Sequence, residues 1–416
     1  MQLTRKDFFG GTAALFAATA IGAADNLPRD KNGKVIDGFG DSNPGPLQDK
    51  PWEPFSDKKV RMGIAGEGYC DFGSNFGYQN HPNSVVVAVA EISPKKRALL
   101  QERTKALRAY ETCEEMIEKE KEIDAVYIAT DAPSHVRLSI MALEHGLHVV
   151  TAVPAFFGTE QLEMVPKLVE AVKRSGKLYM MNETSAFRAD NYKMRKLFEA
   201  GYFGAITYCE GEYIHGDPPY TTKAKKAAHN SYKGWRDGLP PQFYPTHSNG
   251  YYTCITHKRF LDVTCRGLPS LKEVYHQNRY NNPYGAEYAF LRCEDGATAR
   301  MIVQWDTPST GGEKGRIWGQ KGSYDRWSGY RGWFEKEIKA REQEWLKPQL
   351  PPGMPYGAHG GSHGYLTDDF LRGILLKDHK VCVDLKTALD TTIAGVYAHM
   401  SAMKDGETLK IPETVA

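Results

Sequence analysis

The apolar stretch Val60-Arg61-Met62-Gly63-Ile64-Ala65 reads as a strand and runs directly into Gly66-Glu67-Gly68-Tyr69. Few features constrain a fold more tightly. Glycine at the end of a buried strand lets backbone amides approach a pyrophosphate, whose charge then meets the N-terminus of the next helix. The third glycine of the turn is displaced to Gly73 or Gly77, and a second apolar strand, Val85 to Glu91, ends on a carboxylate. A carboxylate there accepts hydrogen bonds from ribose hydroxyls and repels a 2′-phosphate. The pattern predicts a bound dinucleotide held by Gly66, Gly68, Tyr69 and Glu91, and favours NAD over NADP. Lys95 and Arg97 keep NADP as the lesser alternative.

From Lys59 onward strand and helix patterns alternate with short connections. Helices are expected from Pro94, over Thr112 to Lys121, His135 to His145 and Thr159 to Ser175; further strands over Ala125 to Ala129, His148 to Thr151 and Lys177 to Met181. Such alternation predicts a parallel sheet covered on both faces. After Asn182 the rhythm changes to one helix, Asp190 to Ala200, followed by strands over Ala205 to Tyr213, Leu271 to Tyr280, Glu287 to Cys293 and Thr298 to Trp305. A helix over Leu385 to Met403 is expected to pack back on the body, and Trp327 to Gly364 reads as long loops. The fold class is therefore α/β, with a dinucleotide-binding domain over residues 59–182 and an α+β domain over 183–416 built on a large, mostly antiparallel open sheet.

Ahead of these domains, Thr4-Arg5-Lys6-Asp7-Phe8-Phe9 precedes a small-residue apolar run from Gly10 to Ala24. The run is shorter than the roughly 20 residues a membrane span needs, so residues 1–24 read as a removable export leader. Its charged start resembles a twin-arginine signal, with Lys6 in the place of the second arginine, and implies a periplasmic or otherwise exported protein. Residues 25–58, rich in Pro, Gly, Asp and Lys, read as an extended arm or linker. A net charge of +2 gives no electrostatic reason to expect nucleic acid or membrane as partner. Seven scattered cysteines, never spaced Cys-x-x-Cys, argue against a disulfide framework or structural zinc, and no metal-binding motif is present.

Ala129-Thr130-Asp131-Ala132-Pro133-Ser134-His135, Glu144-His145-Gly146-Leu147-His148-Val149-Val150 and the cis-prone Val153-Pro154 together resemble the Gfo/Idh/MocA family of sugar-oxidising dehydrogenases, over nearly all of residues 59–416. The resemblance implies a Rossmann domain paired with the open-sheet domain, the substrate lying between them over the nicotinamide. It also implies that Asp131, Pro133, His135 and Pro154 lie beside the cofactor. Many members carry Glu-Lys-Pro, whose lysine assists proton transfer, where this chain has Ala152-Val153-Pro154.

Val153 cannot move a proton, so either the chemistry differs from simple alcohol oxidation or that work moves elsewhere, the best replacement being Tyr244-Pro245-Thr246-His247. Proline suits a first helical turn, residues three apart share a helix face, and an imidazole can take and return a proton near neutrality. This block is similar to one in the NAD-dependent glycosidases of glycoside hydrolase family 109, which also carry Val-Pro. Those enzymes oxidise a ring carbon, eliminate the glycosidic substituent, add water and return the hydride. Ala152 and Phe187 depart from that branch, which tends to have glutamate and tyrosine there.

Glu212 and His215 are read as sharing one strand face, placed to contact sugar hydroxyls or a metal, with Arg188, Trp235 and Arg236 as further substrate contacts; His359-Gly360-Gly361-Ser362-His363 resembles a substrate-side loop of the family, which implies that His363 reaches the sugar. An exported enzyme has no nucleotide pool to recycle a spent cofactor, which favours redox-neutral, glycosidase-like chemistry on a sugar or glycoside with retained NAD. A net sugar dehydrogenase or sugar–sugar oxidoreductase is the alternative, and a non-catalytic sugar-binding protein a second one. The exposed face of an open sheet suggests a homo-oligomer.

Overall fold

The computed structural model describes residues 45, 47, 51–68, 70–216, 234–307, 311–341 and 349–415. The leader, most of the arm and the predicted cofactor residue Tyr69 lie outside the described residues.

Six strands, β1 (Val60–Ala65), β2 (Ser84–Ala90), β3 (Arg108–Tyr110), β4 (Ala125–Ile128), β5 (His148–Thr151) and β6 (Tyr179–Met181), form an all-parallel sheet in the order β3-β2-β1-β4-β5-β6. Helices α1 (Phe72–Asn75), α2 (Pro94–Thr104), α3 (Cys113–Lys119), α4 (His135–Glu144) and α5 (Val165–Ser175) belong to the same unit. Four-residue α1 and edge strand β3 are too short to leave a period in the sequence. The strand order reverses between β1 and β4, and a ligand crevice opens at the carboxyl ends of strands at such a switch.

The second unit contains α6 (Ala189–Glu199), β7 (Ile206–Ile214), α7 (Thr246–Thr256), β8 (Phe260–Pro269), β9 (Tyr284–Cys293), β10 (Thr298–Gln304), β11 (Gly312–Gly319), β12 (Gly322–Asp325), β13 (Gly329–Gly332), α8 (Glu335–Arg341), α9 (Ser362–Leu375), α10 (Leu385–Met403) and β14 (Leu409–Lys410). Its sheet runs β13-β12-β11-β7-β10-β9-β8-β14 and is antiparallel except where β10 lies parallel to β7. The strand expected over Leu271 to Tyr280 does not form. A single helical turn, Glu273–Tyr275, sits there instead, and Leu271 is 95% exposed. Nor is the stretch after Trp327 only loop, since it holds β13, α8 and the start of α9.

Every residue of α7 is buried, although most carry polar atoms. The helix lies on the inner face of the sheet over two glycines: a Cβ at Gly211 of β7 would stand 2.0 Å from the Ser248 carbonyl oxygen, and one at Gly315 of β11 would stand 2.0 Å from the Tyr251 ring. Glycine in a strand permits this close approach. From the other side, Asn249 Nδ2 donates to the Thr391 carbonyl of α10 at 2.9 Å, and the Thr253 and Thr391 hydroxyls meet at 2.6 Å, so α10 meets part of the helix's polar demand.

The two units are not cut cleanly at residue 182. Leu366, Phe370 and Leu371 of α9 share one apolar cluster with Val60, Met62 and Ile64 of β1 and Val86 of β2, and Met181 N–H donates to the Val383 carbonyl at 3.0 Å. Ordered packing also begins before Lys59. Trp52 Nε1 donates to Asp368 of α9 at 2.8 Å, and the Arg372 guanidinium lies 4.2 Å from the centre of the Phe55 ring.

Candidate active site

The turn after β1 is shaped by steric necessity. Gly66 adopts φ +93°, and a Cβ on it would stand 2.4 Å from the Ala129 carbonyl oxygen at the end of β4. Gly68 is also left-handed, at φ +59°. Gly73 completes the glycine set: a Cβ there would stand 2.4 Å from the Gly66 carbonyl oxygen, so α1 abuts the turn. Glu91 is buried just after β2, its two oxygens accepting from the Glu67 and Ser93 amides at 2.9 Å each. The carboxylate is fixed in place and keeps lone pairs for two ribose hydroxyls. The nearby basic groups serve the backbone, Lys96 Nζ donating to the Gly68 carbonyl at 2.7 Å and Arg97 Nη1 to the Glu91 carbonyl at 2.8 Å.

Across the switch point, Asp131 precedes the helical turn Ala132–Ser134 that contains Pro133, and the Ser134 hydroxyl donates to the Asp131 carbonyl at 2.7 Å. His135, buried, faces the Pro154 carbonyl with Nδ1 at 2.8 Å and the Thr130 carbonyl with Nε2 at 3.3 Å. Burial pushes its pKa down. A neutral ring carries one N–H, and the shorter contact assigns it to Nδ1, so His135 holds the cis Val153–Pro154 loop through the Pro154 carbonyl. Just beyond β6, neither amide atom of buried Asn182 has a hydrogen-bond partner among the described residues; the hydroxyls of Tyr78 and Tyr127 approach it without meeting hydrogen-bond geometry. With the pyrophosphate at the β1 turn and the adenosine ribose at β2, the remaining end of a dinucleotide runs toward β4, β5 and β6. There an unmet donor and acceptor suit a carboxamide. The glycine cradle, Glu91 and Asn182 thus fit the cofactor.

Facing that edge is a buried charge network. His247, in the first turn of α7, has Nδ1 2.8 Å from Glu183 Oε1, which also accepts the Ser185 amide at 2.7 Å. Glu313 of β11 lies 4.0 Å from the same Nδ1, accepts the Ser185 hydroxyl at 2.7 Å and forms a two-pronged pair with Arg188. Burial alone would lower the His247 pKa, but Glu183 and then Glu313 outweigh it and raise the value; burial would raise Glu183, and His247 overcomes it to hold the carboxyl low. With Nδ1–H committed to Glu183, Nε2 is the nitrogen free to exchange protons. Rings wall the imidazole: Tyr213 at 4.6 Å and Tyr244 at 5.7 Å between centroids. Tyr244 is buried, and burial raises its phenol despite the Arg236 charge, so at neutral pH it donates.

The predicted substrate residues divide. Tyr244 and His247 come together as expected, with Trp235 buried nearby and the Arg236 guanidinium 4.3 Å from the Trp235 ring and 5.1 Å from that of Tyr244. Arg188 reaches the site but is spent on Glu313. Glu212 does not reach it. A strand alternates with period two, so residues 212 and 215 cannot share a face. Glu212 pairs with Arg300 on the outer face, in a depression with Asp190, Lys314 and Trp327, while His215 lies inward at the rim, 5.6 Å from Tyr213.

His363 is also misplaced by the sequence reading. It is fully buried, stacked on Phe76 at 4.1 Å, and the open imidazole of its loop is His359, 2.9 Å away. Glu183, Glu313, Asn182 and His359 were not anticipated. Two of them left a signal: Glu183, an acid two residues beyond the last parallel strand, and His359, in the loop singled out for His363.

Residues 60–183 match the pattern of the GFO_IDH_MocA family, described as an oxidoreductase family with an NAD-binding Rossmann fold. A glycosyl hydrolase family 109 protein of Porphyromonas gingivalis is 31% identical over 164 residues, 38% of this chain and 34% of that protein. An alpha-N-acetylgalactosaminidase of Bacteroides fragilis is 32% identical over 135 residues, 31% of this chain and 30% of that protein. The chain thus spans about a third of the length of these curated relatives. Among solved structures, scyllo-inositol dehydrogenase from Lactobacillus casei with bound NAD(H) and scyllo-inositol superposes with TM-score 0.65 at 15% identity, covering 85% of this chain and 99% of that one. The WlbA dehydrogenase from Bordetella pertussis in complex with NADH and UDP-GlcNAcA gives 0.68 at 18%, covering 86% and 99%. At these identities the likeness is one of fold.

Proposed function

We propose, from the premise that residues 60–183 belong to the Gfo/Idh/MocA family of NAD-binding Rossmann oxidoreductases, that this protein is an NAD-dependent enzyme acting on a sugar or glycoside. One observation carries the reading: the buried Glu183–His247 pair stands opposite the carboxyl edge of the parallel sheet, where the nicotinamide would lie. When bound, the dinucleotide supplies a hydride acceptor and donor. His247 Nε2 takes the proton that a substrate hydroxyl, or a carbon beside a new carbonyl, must lose, and Glu183 stabilises the resulting imidazolium. Tyr244 and Arg236 donate hydrogen bonds to substrate oxygens, and Tyr213, Trp235 and Trp305 keep the proton path dry.

A valine at position 153 and a dyad that stores a proton favour a cycle in which the proton is returned, the redox-neutral chemistry that the resemblance to glycoside hydrolase family 109 implies. Retained NAD and an exported location follow together from the leader resemblance, and the exposed sheet face is the surface for self-association.

The test is mass spectrometry of the protein as isolated, followed by incubation without added NAD with aryl glycosides in deuterated water. The expected result is a co-purifying dinucleotide, release of the aryl group, and deuterium beside the oxidised carbon. Ketosugar formation that depends on an added acceptor points instead to a net dehydrogenase or sugar–sugar oxidoreductase. Sugar binding without turnover points to a binding protein. A protein that cannot be loaded with dinucleotide overturns the reading.

A further inference from the structure

His359 sits between the two halves of the crevice. Its ring lies 5.3 Å from that of Phe72, in α1 beside the glycine turn; on the other side, the adjoining Gly360 faces Arg188 closely enough that a Cβ would stand 3.4 Å from Nη1. Arg188 holds Glu313, which lies 4.0 Å from His247. His359 reaches this position with a left-handed backbone, φ +53°, uncommon for a residue other than glycine and the kind of strain that persists where surrounding structure enforces it.

The hydrogen-bond chain through the loop fixes which nitrogen is bare. His363 Nδ1 faces the Asn75 carbonyl at 3.3 Å, and a carbonyl can only accept, so Nδ1 carries the proton. In a neutral ring Nε2 must then accept, and the hydrogen-bonding neighbour it meets among the described residues is His359 Nδ1 at 2.9 Å, which therefore donates. This leaves His359 Nε2 as a lone pair with no hydrogen-bond partner among the described residues. The relay is rigid because His363 is buried and stacked on Phe76.

We propose that His359 is a specificity residue of the sugar site: its Nε2, held as an acceptor by the His363 relay, receives a hydrogen bond from a hydroxyl or amide N–H of the substrate. The proposal rests on the sugar-directed reading above. It is supported by the charges that face the ring. Burial, then the His247 charge, pushes His359 down to about 4, with Arg188 acting in the same sense and Glu313 and Glu183 opposing; burial and His359 push His363 down to about 3. Neither ring protonates above pH about 5, so the acceptor persists across the range in which His247 exchanges its proton. A buried or part-buried acceptor that finds no donor is costly, so the site rejects a sugar lacking the donor at that position.

The experiment uses the full chain with NAD and the p-nitrophenyl glycosides of N-acetylgalactosamine, galactose and glucose, together with their deoxyfluoro analogues, fluorine being an acceptor only. Long-range proton–nitrogen NMR of wild type first reads the tautomers: the expected result is Nδ1–H on both His359 and His363, unchanged from pH 8 to 5.5. His359→Phe should raise KM at least tenfold for the hydroxyl-bearing probe, move kcat less than threefold, and leave the matching deoxyfluoro probe unaffected. His359→Gln, which keeps an acceptor, should recover part of the loss. His363→Phe, which preserves the stack but releases the relay, should raise KM in the same probe-dependent way.

A proton on His359 Nε2, or equal losses on both probes, overturns the proposal while the sugar reading stands. If wild type binds none of the glycosides, the sugar reading fails and this inference falls with it.

Discussion

His247 Nδ1 stands 2.8 Å from Glu183 Oε1, with the two side chains 7% and 0% exposed. The pairing sets a pH signature. Because the folded His247 pKa is raised, its stabilisation is complete below the ordinary imidazole value of about 6.5 and is lost as pH rises through the folded value. Because the folded Glu183 pKa is lowered, its share is present above the ordinary carboxyl value of about 4.3 and is lost as pH falls through the folded value. Denaturant unfolding across pH should show wild type losing stability at both ends. Glu183→Gln should be about 1.5–3 kcal/mol less stable near neutrality and flatter with pH. An identical profile for the two proteins counts against the pair.

Turnover should follow the same residues. His247→Asn is expected to lose about 10²–10⁴-fold in kcat while retaining its dinucleotide, since proton transfer is removed and the cradle is untouched. Glu183→Gln should shift the acidic limb of the rate profile downward and lower kcat. Dinucleotide content measured beside kcat separates a proton role from general damage.

Gly66→Ala should abolish dinucleotide retention. The substitution places a methyl group 2.4 Å from the Ala129 carbonyl oxygen at φ +93°, so both sterics and backbone oppose it. Mass spectrometry of the isolated variant is the measurement, with retained cofactor at wild-type occupancy as the contrary result.

Glu91→Gln keeps the acceptors for the Glu67 and Ser93 amides in part but removes the charge. The ratio of NAD to NADP affinity should fall about tenfold or more as repulsion of the 2′-phosphate disappears. Titration of dinucleotide-free protein with each cofactor reads that ratio directly.

Gly211→Ala tests how α7 is seated. A Cβ 2.0 Å from the Ser248 carbonyl forces the helix off the sheet, at a cost of about 1–3 kcal/mol or above. Because His247 is one residue from Ser248, kcat should fall about 10²-fold, as a displacement near 1 Å does for a group that must meet its partner. A stable variant with unchanged kcat would show that the helix position is not critical.

Most of the parallel sheet was readable because its strands other than β3 are mainly apolar and the helices other than α1 are long enough to show a period. The glycine turn and Glu91 were readable because they are contiguous with those strands. β8 and β11 were not: one face of their sheet is open, and sequences such as Gly312 to Gly319 mix glycine with charge. Leu271 to Tyr280 has the letters of a strand and none of the packing. In the site, Tyr244 and His247 share a local motif, whereas Glu313 reaches His247 from a distant strand that only the folded sheet brings near. The choice between His359 and His363 was decided by Phe76, a residue of the other domain stacked on His363. Glu212 was a plain misreading of strand period, and the outer-face Arg300 claims it.

The apolar cluster that joins Leu366, Phe370 and Leu371 to the first strands carries a consequence for biogenesis. When the ribosome has released the glycine turn and all six parallel strands, that cluster is still open, because α9 has yet to be synthesised. A fragment ending near residue 183 would hold the family's recognisable pattern and a bare greasy floor, prone to capture by chaperones. Closure of that floor is therefore a late event, deferred until the end of the polypeptide arrives to cover the beginning.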